Sequence, residues 1–232
     1  MNRATWVVKG GVNLRAWFGS RRCSEDLDLD AVGSPPHVLR ERFDKILLGR
    51  GLGDLLTSQG LEVVRISKPK QTDTTQSWKL ELKAAGVSVP LHTKVEFSRR
   101  GTRDEEYVLE PARSDIVRPY GIPVPTVNHY TARSAVRQKI HALAGRSETQ
   151  ARDIWDLDHL LRSTNADPRP LSDSLREMLP AASERVMSLD YDVFKAQVVP
   201  YLLDEDRVAY GTRDAWDRMR ELVVERLEEF GS

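Results

Sequence analysis

Apolar and polar positions alternate over much of the first half of the chain and recur every three or four residues in the second. Period two is strand periodicity, whereas the three-to-four spacing gathers apolar side chains on one side of a helix. "TWVVKGG" reads as a short strand running into a glycine turn, and "VNLRAWF" as a helical segment. "DLDLDAV" is a second strand, stopped by "GSPP", and "HVLRERFDKILLGRGLGDLLTSQG" is helix interrupted by glycines. "LEVVRISK", "QSWKLELKAAG" and "VPLHTKVEFSRR" alternate in the manner of half-exposed strands, which predicts a mixed sheet of about five strands with helices against it. "VRPYGIPVPTV" is proline-rich and is expected to cross the surface between two regions. Beyond it "TARSAVRQKIHALAGR", "TQARDIWDLDHLLRS", "LSDSLREMLPAA", "DYDVFKAQVVPYLL" and "RDAWDRMRELVVERLEEF" all carry helical spacing. The expected architecture is α/β (α+β): a sheet-bearing domain over residues 1–125 and a helical domain over residues 126–232.

Composition sharpens this picture. With 40% hydrophobic and 30% charged residues, the 232-residue chain is an ordinary globular protein rather than a disordered or fibrous one. It has no run of about 18 apolar residues and no signal-peptide layout at its start, so no membrane role and a cytoplasmic location are expected. Its single cysteine, Cys23, excludes an intramolecular disulfide and a cysteine-based zinc site, and is expected to be a buried or half-buried thiol. The formal net charge of zero hides an asymmetry: residues 1–152 hold 25 Lys and Arg against 17 Asp and Glu, and residues 153–232 hold 10 against 18. The basic part suits a polyanionic substrate, whether nucleotide, nucleic acid or both.

Within that basic part lies the most distinctive chemistry. The alternation in "EDLDLD" puts Asp26, Asp28 and Asp30 on one strand face, and carboxylates in such register need a cation to neutralise them. A divalent cation held by Asp26 and Asp28 would be hard and oxygen-loving, with magnesium the first candidate and manganese the second. Such ions activate an attacking oxygen and stabilise a leaving pyrophosphate. The Gly10-Gly11 turn supplies backbone N–H groups able to approach a phosphate closely.

"KGGVNL" followed by "GSRRCSEDLDLD" resembles the nucleotidyltransferase signature of the AbiEii/AbiGii toxin family, within the DNA polymerase beta-like nucleotidyltransferase superfamily. Lys9, Gly10, Gly11, Asn13 and Leu14 fill its first element, and Arg22, Ser24, Asp26 and Asp28 its second. The family's usual threonine after the glycines is replaced by Val12-Asn13. "TKVEFS" offers Glu96 as the superfamily's third carboxylate, "AVRQKIHALAGR" offers Lys139 as the lysine that contacts nucleotide phosphates, with Arg146 beyond it, and "ARDIWDLDHLL" matches a further element through Arg152, Asp153, Asp156 and Leu157. Asp153 and Asp156 are neighbours on a helix and could orient the lysine and arginine, act as a base for the attacking hydroxyl, or cap and salt-bridge the helical domain.

The resemblance implies a metal-dependent nucleotidyltransferase that consumes a nucleoside triphosphate and serves as the toxin of a bacterial toxin–antitoxin system, with a cognate antitoxin as partner. It implies metal ligation by Asp26, Asp28 and Glu96, triphosphate binding by Gly10, Gly11, Arg22, Ser24, Lys139 and Arg146, and catalytic roles for Asp26, Asp28, Lys139 and Asp153. The implied acceptor is RNA, the acceptor end of tRNA above all, which would block translation. A nucleotidyltransferase acting on a protein or small-molecule hydroxyl, and a noncatalytic RNA- or partner-binding module, are the rival readings. His129, His141 and His159 lack zinc-site spacing and are expected to be surface or hydrogen-bonded residues, while Trp155 and Trp216 are expected in the helical core rather than as base-stacking platforms. Replacing Asp28 with alanine or Lys139 with glutamate is expected to abolish transfer and leave the fold intact.

Overall fold

The computed structural model describes residues 6–99 and 105–232. Thr5 and Arg100, at the ends of two expected strands, lie outside the described residues. The chain forms two compact units. One holds the described residues of Met1–Val12, Glu25–Glu105 and Leu109–His129, and the other holds Asn13–Ser24, the described residues of Glu106–Val108 and Tyr130–Ser232.

The first unit is built on a mixed sheet. β1 (Trp6–Lys9) ends at Gly10, whose φ of +66° turns the chain into α1 (Gly10–Phe18). β2 (Leu27–Ala31) pairs antiparallel with β1, and α2 (Pro36–Leu47) follows with proline at its first turn, where a missing N–H costs nothing. The apolar residues Leu39, Phe43 and Leu47 recur every four positions and are the buried stripe of α2, while Gly49 separates it from α3 (Arg50–Ser58). β3 (Leu61–Gln71), β4 (Thr75–Ala84) and β5 (Leu91–Ser98) form an antiparallel meander whose last strand pairs parallel with β2. β3 runs through Pro69 because it is the sheet's edge, where a lost donor is tolerated, and its register shifts between Ser67 and Lys70.

Among the described residues the sheet has seven strands in the order β3-β4-β5-β2-β1-β7-β6, two more than expected, because β6 (Tyr107–Pro111) and β7 (Thr126–Tyr130) are five residues each and end on or follow prolines. The short helix α4 (Ser114–Val117) lies between them in sequence. One sheet face carries Leu29, Trp78, Leu80, Val95 and Phe97, and here Phe43 of α2 meets Trp78 and Phe97 edge-on at 4.7 and 5.1 Å between ring centres. The Trp78 indole donates to Asp44 Oδ1 at 2.8 Å, so its polar edge is satisfied as the ring is buried.

The second unit is helical: α5 (Ala132–Gly145), α6 (Ala151–Ser163), α7 (Asp173–Ser188), α8 (Tyr191–Gln197), α9 (Asp204–Tyr210) and α10 (Arg213–Gly231). Thr131, Ser172 and Thr212 cap α5, α7 and α10 by accepting from the N–H three residues on. The facing stripes of these helices, including Ile140, Leu143, Ile154, Leu157, Leu179, Val223 and Leu227, make one core. Trp155 and Trp216 belong to that core, as expected, and Trp216 stacks on Phe194 at 4.6 Å. Asn13 is fully buried and donates from Nδ2 to the Tyr130 carbonyl at 3.0 Å, which supplies a structural reason for asparagine after the glycines. His159 donates from Nε2 to the Phe18 carbonyl at 2.9 Å, and Cys23 is half-buried.

Candidate functional site

The first cluster lies on the sheet face opposite the aromatic core. Strand register sets Lys9 of β1, Asp28 of β2, Glu96 of β5 and Ser77 of β4 in one row across the sheet. Asp26 lies one residue ahead of β2, and Asp30 lies two residues beyond Asp28 on the same side. The Lys9 ammonium pairs with Asp30 Oδ1 at 2.6 Å, so Asp30 is engaged structurally. Lys94, one period ahead of Glu96, places its ammonium 3.3 Å from Asp26 Oδ2 and 3.5 Å from Glu96 Oε2. Burial pushes the Lys94 ammonium pKa down, but Glu96 and Asp26 outweigh it and the net shift is upward.

Asp28 is half-buried at the middle of this row, between Lys9 and Glu96. Burial raises its carboxyl pKa, and Lys94 and Lys9 only partly offset that. Gly10 forms the wall beside it: a Cβ at that position would come within 3.0 Å of Asp28 Oδ2. An open groove of about 560 Å³ starts at Asp26 and Lys94 and extends over the sheet, lined further by Arg65, Lys79, Glu81 and His92.

The second cluster belongs to the helical unit. Lys139 of α5 projects between Asp153 and Asp156 of α6, with Nζ 2.9 Å from Asp153 Oδ1 and 2.6 Å from Asp156 Oδ2. Arg22 grips Asp156 through Nε and Nη2 at 3.1–3.2 Å, and Arg146 Nε lies 2.8 Å from Asp153 Oδ2. The Arg22 segment is itself pinned, since the Cys23 N–H donates to the Tyr201 carbonyl at 2.9 Å. Burial alone would raise the Asp156 pKa, yet Lys139 and Arg22 hold it down at about 2. Burial likewise works against the Lys139 charge, and Asp153 and Asp156 more than restore it, leaving its pKa raised. Three cations share two carboxylates, so the network keeps one surplus positive charge, with Arg146 its most exposed member at 43%.

A family model for the nucleotidyl transferase AbiEii toxin of type IV toxin–antitoxin systems matches residues 2–229. The chain belongs to this family. It is therefore an AbiEii-type nucleotidyltransferase, and a nucleoside triphosphate substrate and an antitoxin partner come with the family. Its fold is similar to the crystal structure of JHP933 from Helicobacter pylori (TM-score 0.56, 19% identity, covering 97% of this chain and 86% of that one). It is equally similar to the structure of a candidate nucleotidyltransferase from H. pylori (TM-score 0.57, 20% identity, 97% and 88% coverage). No curated protein sequence matches the chain. No described helix is long and apolar enough to cross a membrane.

The residues expected from the sequence to form the site of this AbiEii-family chain fall into the two clusters. Gly10, Asp26, Asp28 and Glu96 come together in the first, with Gly11 buried behind Gly10 at the start of α1. Arg22, Lys139, Arg146, Asp153 and Asp156 come together in the second, and Ser24 is half-buried two residues after Arg22. Lys94 joins the first cluster without having been expected there, although its spacing of two from Glu96 already placed it on the same face. Among the described residues no three Asp, Glu, His or Cys side chains are gathered so as to hold a metal ion by themselves. The donor set nonetheless fits a hard cation. Two of the carboxylates already face an ammonium, the third is a half-buried acid whose ionisation a cation would favour, and magnesium ordinarily takes only one or two carboxylates plus substrate phosphates.

Proposed function

We propose that this AbiEii-family enzyme is magnesium-dependent, transfers a nucleoside monophosphate from a nucleoside triphosphate to the acceptor end of tRNA, and thereby blocks translation in the cytoplasm until its antitoxin counteracts it. The observation that carries the reading is Asp28: a carboxylate whose charge burial opposes, set in register with Glu96 and walled by a glycine that leaves room for nothing larger. A protein retains such an unfavourable group where the ligand it binds repays the cost.

In this reading Asp26, Asp28 and Glu96 hold the metal, and Gly10 and Gly11 receive the triphosphate. A bound magnesium ion would offset the charge that develops on the phosphates. The acceptor hydroxyl oxygen bonds to the α-phosphorus as the bond to pyrophosphate breaks, and the hydroxyl proton passes to base or solvent. Within the helical unit, Lys139 and Arg146 belong to a network with one surplus positive charge, which suits an anionic group. Arg22, gripping Asp156, acts through that carboxylate instead of touching phosphate. Asp153 is 1% exposed between Lys139 and Arg146, which suits positioning better than proton abstraction from an acceptor.

The test is to incubate the purified protein with magnesium, total bacterial tRNA and each labelled nucleoside triphosphate in turn, and to resolve the products on a denaturing gel. Label on tRNA with one nucleotide is the expected result. Label on protein or a small-molecule acceptor, with none on tRNA, would overturn the acceptor assignment and keep the chemistry.

A further inference from the structure

Lys94 has no part in the transfer described above, yet it occupies the centre of the carboxylate cluster. Its ammonium spans Asp26 and Glu96, two of the three acids assigned to the metal, at 3.3 and 3.5 Å. The other nearby cation, Lys9, is engaged by Asp30 at 2.6 Å. Directly across the β4–β5 pair, Lys94 faces Lys79, and like charges in that position repel, which favours the carboxylate side for the Lys94 head group. The side chain is 29% exposed on a flexible four-carbon stem, so its head can leave by rotation while the strand stays in place.

We propose that Lys94 is a built-in placeholder for the metal: its ammonium neutralises Asp26 and Glu96 in the metal-free protein and is displaced when a divalent cation takes those carboxylates. The inference rests on the reading of Asp26, Asp28 and Glu96 as metal ligands. Its physical content is competition. The ammonium and a metal ion would approach the same Asp26 and Glu96 oxygens and repel each other there, so the lysine stabilises the empty state and weakens metal binding by the same coupling. A neutral side chain of similar length removes the competitor and leaves the acids in mutual repulsion until a metal arrives.

The experiment is a manganese titration of the full chain, without nucleotide, followed by the electron paramagnetic resonance signal of free hexaaquo Mn²⁺, with thermal melts on the same samples. Wild type, Lys94→Met, Lys94→Arg and Asp28→Asn are compared, with Lys94→Gln as a second neutral variant should methionine not fold. The expected result is Mn²⁺ bound about tenfold more tightly by Lys94→Met than by wild type, and within about threefold of wild type by Lys94→Arg. The metal-free Lys94→Met protein should melt below wild type, and saturating Mn²⁺ should close the gap. Manganese affinity that is unchanged or weaker in both neutral variants, while wild type binds and Asp28→Asn does not, overturns the placeholder role and leaves the metal site standing. Binding by Asp28→Asn as tight as by wild type, or no binding by any variant, overturns the metal reading and the placeholder with it.

Discussion

Asp28 shows how one residue can set stability against function. Its folded pKa is raised, chiefly by burial, so its ionised form at neutral pH costs folding energy, and that cost disappears as the pH falls through the raised pKa or as a cation binds. Asp28→Asn keeps the shape and removes the charge. We expect transfer to fall by about a thousandfold or more, while the melting temperature in chelator stays level or rises; a clearly lowered melting temperature would contradict the account. Gly10 makes the complementary prediction. With φ at +66° and Asp28 Oδ2 within 3.0 Å of any added Cβ, Gly10→Ala meets both backbone strain and a steric block. A loss of roughly 1–2 kcal/mol in urea unfolding and a transfer rate reduced at least about tenfold are expected. A fully active Gly10→Ala enzyme would show that the turn is not part of the site. Both residues were legible in the sequence because their signals are local: period two for the acids and paired glycines after a strand. The partner of Arg22 was legible only as one of several open roles for Asp153 and Asp156, because Asp156 lies 134 residues away and no local pattern singles out that pairing.

At the scale of elements, α5 and α6 are joined through charge as well as through their apolar stripes. The expectation that Lys139→Glu would leave the fold intact does not survive the burial of Lys139 between Asp153 and Asp156, because the substitution would place a third carboxylate beside two buried ones. We expect Lys139→Glu to lose about 3–5 kcal/mol in urea unfolding, so its inactivity alone would say little about catalysis. The same network gives a pH signature. The folded pKa of Asp156 is about 2, below its unfolded value, so its stabilisation is fully present above the ordinary carboxylate range and is lost as the pH falls through about 2. In wild type, unfolding free energy should fall more steeply below about pH 4 than in Asp156→Asn, by about 2 kcal/mol over the window. Parallel acid titrations of the two proteins would contradict the pairing. The long helices and the β3–β5 meander were legible, since each repeats its period over many residues. β6 and β7 were not, because five residues beside prolines give too few alternations to register.

For the whole molecule, the order of the sheet was beyond local pattern. β2 pairs with β5 and β1 with β7 across long stretches of intervening chain, and Asn13–Ser24 groups with the helical residues although it lies between the first two strands. What the sequence did carry was the family signature, because its residues converge on chemistry that tolerates few substitutes. The excess of basic residues in 1–152 adds one expectation at this scale: tRNA binding should weaken steeply as salt rises from about 50 to 200 mM, in filter-binding measurements with catalytically silent Asp28→Asn. The central claim, nucleotidyl transfer driven by the carboxylate cluster, is tested most directly by giving the wild-type enzyme, magnesium and tRNA a triphosphate labelled either at the α- or at the γ-phosphorus. The account predicts α-label on the acceptor, γ-label in released pyrophosphate, and neither with Asp28→Asn or with chelator. Label from the γ-position on the acceptor, or transfer that persists without Asp28, would contradict it.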